Sequence, residues 1–414
     1  MNMQATLAWP FFEPRHRDLL RQADAWLQTM PAGTAPQSRA EMDEECRFLV
    51  ASMGQAGLLA QAVPDPLAPG ARIDTRAVCL LRDRLAQHGA LFDFAFAMQG
   101  LGSAAISLDG TPAQRKRYLT PARAGNHIAA FALSEARAGS DVGALSCAAR
   151  QDGDAYVLDG EKTWISNGGI ADHYVVFARE PRSTGSKGIS AFIVDADTPG
   201  LEIAERIDVI SPHPLATLRF TACRVAGGQV LGEPGQGFKL AMRTLDIFRT
   251  SVGAAALGFS RRALQEATQH ALQREMFGKT LADFQLTQAR LSQMATQTDA
   301  SALLVYRAAW ARDAGLGSSR DAAMAKLAAT EHAQQVVDAA LQMHGGLGVR
   351  AGHIMEQLYR DVRALRIYEG ATEVQRLIIG RDLLREAREQ SASAAAHPPT
   401  QGPTRATHKH QEQP

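Results

Sequence analysis

A glutamate flanked by Ile367, Tyr368 and Gly370 is the residue of this 414-residue chain best suited to move a proton. Beside an apolar cleft, the Glu369 carboxylate would shed water and gain basicity, as proton abstraction near neutral pH requires; the ordinary alternative is a helix-cap carboxylate. Three other segments carry groups suited to a flat, phosphate-bearing ligand. Phe131-Ala-Leu-Ser-Glu135 leads to Gly139-Ser140-Asp141, a turn whose backbone N–H groups can bond a phosphate oxygen, although such turns also simply join strands. Trp164 and Ser166, within Lys162-Thr-Trp-Ile-Ser-Asn-Gly168, offer a flat aromatic surface and a hydroxyl, where a lone strand Trp is otherwise core. Arg274, in Arg274-Glu-Met-Phe-Gly278, presents a guanidinium fork that matches pyrophosphate or makes a solvated ion pair. Asp246 and Arg249 stand three apart, as a helical ion pair would.

Other motifs fail on context. Gly100-Leu-Gly102-Ser-Ala-Ala105 fits a loose GxGxxA dinucleotide fingerprint, but its surroundings read as helix and no strand ending in Asp or Glu follows. Small residues there predict close helix contact instead. There is no GxxxxGK[ST], HExxH or GxSxG segment, so a P-loop NTPase, a zincin and an α/β-hydrolase lack support. With 44 Lys+Arg against 43 Asp+Glu, no net field gathers nucleic acid or an anionic membrane. Cys46, Cys79, Cys147 and Cys223 sit far apart with no CxxC pair, which predicts buried reduced thiols and no metal site. The start lacks a signal-peptide pattern, and no run reaches about 18 apolar residues. A soluble cytoplasmic protein without membrane insertion is expected.

The elements that must position these groups fall into an α+β order of helical, β and helical domains. Residues 1–128 read as helical, with Val78, Leu81 and Leu85 on one apolar face of a helix over Asp74–His88. Residues 129–232 hold short strand-like runs, with Asp159-Gly160 as a hairpin turn, and predict a β-barrel or sandwich. Residues 233–388 regain helical period and predict a four-helix bundle, while 389–414 lack large apolar residues and are expected to be disordered.

Taken in register, the four segments and the domain order resemble the acyl-CoA dehydrogenase family, from about Pro14 to Glu386. The resemblance implies FAD, an acyl-CoA or acyl-carrier thioester substrate, and Glu369 as catalytic base in the YEG segment. Leu133, Ser134, Trp164 and Ser166 are then implied at the flavin ring. Arg274, Phe277, Gln285, Gln342, Gly345 and Gly346 are implied at the FAD of a neighbouring subunit, in a homo-oligomer, most plainly a homotetramer. Thr372 and Glu373 are implied at the subunit's own FAD. Ser140, Asp246, Arg249, Gly370 and Arg381 are implied along the acyl-CoA, with Arg381 at its phosphates. Some relatives carry the base at the position of Phe248, which cannot take a proton, so the assignment falls on Glu369.

Two departures stand out. Ala136-Arg137 replaces the family's usual Pro-Gly, and Asp208-Val-Ile-Ser211-Pro-His213-Pro replaces its KxGxR loop. The implied reaction is α,β-dehydrogenation of an acyl thioester to the 2,3-enoyl thioester, with electron-transferring flavoprotein reoxidising the cofactor. The Glu369 backbone N–H and a flavin ribityl hydroxyl are implied to stabilise the developing enolate. A flavin oxidase or monooxygenase on the same scaffold, and a catalytically silent acyl-CoA-binding protein, are the rival readings. Phe92, Phe94, Phe96 and Met98 are candidates for the acyl wall or for ordinary core.

Overall fold

Capped helices open the chain. The computed structural model describes residues 3–31, 36, 38–68 and 70–396. Among the described residues six α-helices precede the first strand: α1 Met3–Thr6, α2 Pro14–Gln28, α3 Arg39–Gln55, α4 Thr75–His88, α5 Ala90–Asp109 and α6 Pro112–Arg123. Asp74 starts α4 by accepting the Ala77 N–H at 3.0 Å. The face predicted from Val78, Leu81 and Leu85 is buried, but so is most of the helix, including Arg82 and Asp83. These ions tolerate burial because each is paired. Arg82 forks onto Asp93 of α5 at 2.7 and 2.8 Å, and Arg261 donates to Asp83 at 3.1 Å.

The fingerprint-like glycines are packing residues, as their helical setting predicts. A Cβ at Gly102 would stand 2.6 Å from the Ala129 carbonyl carbon, and one at Gly100 would stand 2.6 Å from the Phe248 ring. Helix α5 is also long and apolar enough to cross a membrane by length and composition, yet 83% of that window is buried here, as in a core helix. We expect Gly102→Val to cost about 1–3 kcal/mol through overpacking. Denaturant unfolding checks this, and an unchanged midpoint would contradict it.

The middle region is one eight-stranded mixed sheet. Its strands are β1 Ala129–Ala132, β2 Ala148–Asp152, β3 Ala155–Ser166, β4 His173–Arg179, β5 Ile189–Asp195, β6 Leu201–Arg206, β7 Leu215–Ala226 and β8 Val230–Leu231. They run in the order β6-β7-β3-β2-β4-β5-β8, with β1 parallel to β4. Among the described residues the path stays open and does not close into a barrel. The hairpin turn expected at Asp159-Gly160 is not there. It lies at Gly153-Asp154, between paired Asp152 and Ala155, where Gly153 adopts φ +66°. Strand β3 runs straight through Asp159, and Gly160 (φ +137°) forms a bulge where a Cβ would come 2.8 Å from the Cys147 Cα.

The third region begins with the 37-residue helix α7, Gly237–Gln273. Then come the hairpin of β9 Glu275–Met276 and β10 Lys279–Thr280, α8 Gln285–Asp313, α9 Ser319–His344, α10 Ile354–Arg363 and α11 Thr372–Ala396. Ser318 and Asp321 start α9 with a reciprocal capping box. The segment expected to lack structure from 389 instead continues α11 as far as Ala396, since Ser391-Ala-Ser-Ala-Ala-Ala396 extends an existing helix with its best former. Residues 397–414 lie outside the described residues. All four cysteines are buried and unbridged.

Candidate active site

The loop between α10 and α11 turns sharply at Glu369 (φ +52°) and Gly370 (φ +92°). A left-handed conformation is natural for Gly but costs about 1 kcal/mol or more for Glu, so its surroundings must impose it. They do so through Lys326, a fully buried residue of α9 whose ammonium donates to the Tyr368 carbonyl at 2.9 Å and to the Gly370 carbonyl. Gln375 Nε2 donates to the same Gly370 oxygen at 2.7 Å.

Both carboxylate oxygens of Glu369 are buried and have no hydrogen-bond partner. Burial pushes this carboxyl above the ordinary range and Asp93 adds to the rise, while Arg82, Lys326 and Arg249 pull the other way. It is a desolvated carboxylate among three cations that do not bond it, which is the condition of a base awaiting a proton donor. Phe248, the alternative base position, is fully buried core.

Asp246 and Arg249 form the helical pair, Arg249 Nη1 donating to Asp246 at 2.6 Å, and Ser319 Oγ donates to the other Asp246 oxygen at 2.8 Å. Asp246 lines a cleft of about 120 Å³ with Thr250, Arg312 and Ser318. Arg249 Nε is buried without a partner, and its charge acts on Glu369, so this pair links the cleft to that carboxylate.

Leu133 and Ser134 follow β1 and are tied to β3. Thr163 N–H donates to the Ser134 carbonyl at 3.0 Å and Lys162 Nζ to the Leu133 carbonyl at 3.1 Å. Lys162 also donates to Glu135 at 2.6 Å, and Glu135 accepts from the Ser146 and Cys147 N–H groups at 2.6 and 3.0 Å. The β3–β7 register slips between Lys162 and Ile165, where Trp164 (φ +60°) is thrown outward and stands 57% exposed. Ser166 is half-buried beyond it, and Ser140 is exposed on the neighbouring turn. An exposed indole locked into a bulge beside a hydroxyl fits the face of a flavin.

A second group gathers at the far end of the bundle. The rings of His270 and His344 stack at 4.2 Å, so the ends of α7 and α9 meet, bringing Arg274 to the region of Gln342, Gly345 and Gly346. Phe277 tips the adjacent hairpin in a two-residue turn with Gly278 (φ +51° and +77°) and is 87% exposed. Gln285 is exposed at the start of α8, and Gly345 (φ +59°) has open space where a Cβ would stand. This end does not meet Glu369 within one chain. Arg274 and Arg249 lie 25 positions apart on or beside one continuous helix, about 37 Å at 1.5 Å per residue. Thr372 is buried and donates to Glu331 at 2.6 Å, whereas Glu373 and Arg381 are exposed on α11.

Family models described as the N-terminal, middle and C-terminal domains of acyl-CoA dehydrogenase match residues 13–126, 130–223 and 235–384 in turn. The chain belongs to the acyl-CoA dehydrogenase family. It is 40% identical to the short-chain specific acyl-CoA dehydrogenase, mitochondrial, of Rattus norvegicus over 355 residues, 84% of this chain and 86% of that one. It is 38% identical to a 3-(aryl)acrylate reductase of Clostridium sporogenes, across 83% and 93% of the two chains. Among solved structures, an acyl-CoA dehydrogenase from Bacillus anthracis complexed with FAD superposes with a TM-score of 0.82 at 29% identity, over 92% of this chain and 68% of that one. As an acyl-CoA dehydrogenase the protein is an FAD-dependent oxidoreductase.

The departing loop has a structural counterpart in this acyl-CoA dehydrogenase. Ser211 of this loop donates to buried Asp361 at 2.6 Å, and the His213 ring packs on Phe94 at 4.5 Å. Phe92 and Phe96 are core, while Phe94 and Met98 are only partly buried. Burial pushes Asp361 up to about 6. With its folded value above its unfolded one, Asp361 holds an extra proton in the native state. Its contribution is favourable at acid pH and is lost as pH rises through about 6. Asp361→Asn should therefore gain about 1–3 kcal/mol at pH 8 relative to the parent and little near pH 3, below the ordinary carboxylate value. Unfolding at both pH values checks this, and an equal effect at each would contradict it.

Sequence reading did not find Lys326, Arg82 or Asp93. One signal was present for Lys326. It shares a helix face with Ala322, Ala329 and Ala333, all buried, so an ionisable side chain was due to enter the bundle interior.

Proposed function

We propose that the protein oxidises an acyl-CoA thioester to its 2,3-enoyl thioester, with Glu369 removing the α-proton. The observation that carries this reading is the buried, unpartnered Glu369 carboxylate, a proton acceptor with no structural bond to give up. An α-proton of a thioester is too weakly acidic for a carboxylate unless charge developing on the carbonyl oxygen is stabilised, and the Glu369 N–H is the chain's donor for that role. Bound FAD supplies the hydride acceptor. Trp164, Ser166, Leu133 and Ser134 orient its ring, while Thr372 and Glu373 flank it from the start of α11. Asp246, Arg249 and Gly370 align the thioester between that face and Glu369, with Ser140 and Arg381 toward the CoA end. The bundle end bearing Arg274, Phe277, Gln285, Gln342, Gly345 and Gly346 serves the FAD of a second subunit. Its distance along α7 from the base supports a homo-oligomer, a tetramer, and electron-transferring flavoprotein is the proposed acceptor.

The test is anaerobic bleaching of the flavin absorbance by a panel of acyl-CoA thioesters. Bleaching by at least one of them is expected, and none at all would overturn the reading. The likeness to a 3-(aryl)acrylate reductase favours also assaying the reverse direction, saturation of an enoyl thioester, through the same site.

A further inference from the structure

Lys326 sits in the bundle at a site where a lysine is costly, because burial disfavours its charge and lowers it to about 8. It points at neither cleft nor solvent. Its ammonium bonds the carbonyls on either side of Glu369, those of Tyr368 and Gly370, reaching them from α9, 42 and 44 positions away in sequence. The peptide group is planar and trans, so fixing the Tyr368 carbonyl also fixes the Glu369 N–H, which points the opposite way, away from Lys326. One ammonium therefore sets both the left-handed turn that directs the Glu369 side chain and the direction of the N–H donor beside it.

We propose that Lys326 is a positioning residue of the reaction, clamping the peptides around Glu369 so that carboxylate and backbone N–H address the thioester together. This rests on the reading of Glu369 as the base. Electrostatics act in the same direction. The charges facing Glu369 are Arg82 of α4, Asp93 of α5, Arg249 of α7 and Lys326 of α9, while Lys326 itself also faces Glu331 of α9 and Glu373 of α11. Losing the Lys326 charge removes one of the three cations that keep the buried base ionised.

Flavin reduction in the FAD-loaded enzyme tests this with Lys326→Met. We expect the flavin absorbance to persist, the anaerobic reduction rate to fall about 10²-fold with KM changed less than about threefold, and the acid limb of the rate–pH profile to move to higher pH. Lys326→Arg, which keeps charge and donors, should recover part of the rate. In a Glu369→Gln background, Lys326→Met should cost less than about threefold more, because there is no base left to position. A merely structural role would instead give equal losses in both backgrounds and an unmoved pH profile, and either result overturns the proposal. If Lys326→Met does not fold, Lys326→Gln is read the same way, and a rate within about threefold of the parent overturns it. Parent-like reduction by Glu369→Gln would sink the reading of the base, whereas a dead Glu369→Gln beside an unimpaired Lys326→Met sinks only the assignment of Lys326.

Discussion

Glu369→Gln will remain yellow, bind acyl-CoA and fail to bleach, its rate of flavin reduction lowered by about 10²–10⁴. Gln fills the same space and cannot accept the α-proton. Both Glu369 oxygens lack partners in the native state, so the change breaks no hydrogen bond, and stability should stay within about 1 kcal/mol. A neutral side chain also ends the cost of burying a charge among Arg82, Lys326 and Arg249, which limits any loss. The pH dependence follows from the same burial. Because the Glu369 carboxyl is raised, the ionised base appears only above the ordinary carboxylate range, so the rate should climb with pH through that raised value. Stopped-flow reduction with a substrate that bleaches the parent provides the measurement. A Gln variant reduced at the parent's rate would remove Glu369 from the chemistry, and a variant that loses FAD would mean that the loop also serves the cofactor.

The carboxylate proposed as the base was legible because its cue is local: Glu between Tyr and Gly, in register with three other segments. What surrounds it was not. Arg82 and Asp93 lie eleven positions apart on two helices, and nothing in either stretch marks them as a fork inside the protein rather than two solvated ions. Lys326 needs the fold to bring α9 under the turn before its amine has carbonyls to bind. The domain order was readable from the change of hydrophobic period, because a period reports which face is buried. Gly160 misled for a physical reason. Asp-Gly supplies a positive φ equally well to a two-residue turn and to a bulge, and the choice depends on Cys147, just ahead of β2, whose approach leaves no room for a side chain. Trp164 was named for the proposed flavin face, but its outward throw depends on the register slip between β3 and β7, a tertiary pairing that its own neighbours in sequence do not determine.

Glu135→Ala should destabilise the protein by about 3–5 kcal/mol, the largest stability effect we expect, because it strands the Lys162 ammonium, fully buried in the core of the middle sheet. It also frees the Ser146 and Cys147 N–H groups and loosens the anchor that ties the Leu133-Ser134 segment to β3, so FAD affinity should fall with stability. Burial pushes Glu135 up, but Lys162 and the two N–H donors outweigh it and hold the carboxyl below the ordinary range. Its folded value thus lies under the unfolded one. The stabilisation it gives is complete above the unfolded value near 4.5 and disappears as pH falls through the folded value. Burial lowers Lys162, which opposes this gain at neutral pH, so the pair is worth less than Glu135 alone suggests. That asymmetry yields a sharper test than the single variant. Glu135→Leu with Lys162→Met removes both charges together and should recover much of the stability lost by Glu135→Ala, with little dependence on acid pH. If the double variant unfolds as early as the single one, the loss belongs to the Ser146 and Cys147 hydrogen bonds rather than to the uncompensated lysine.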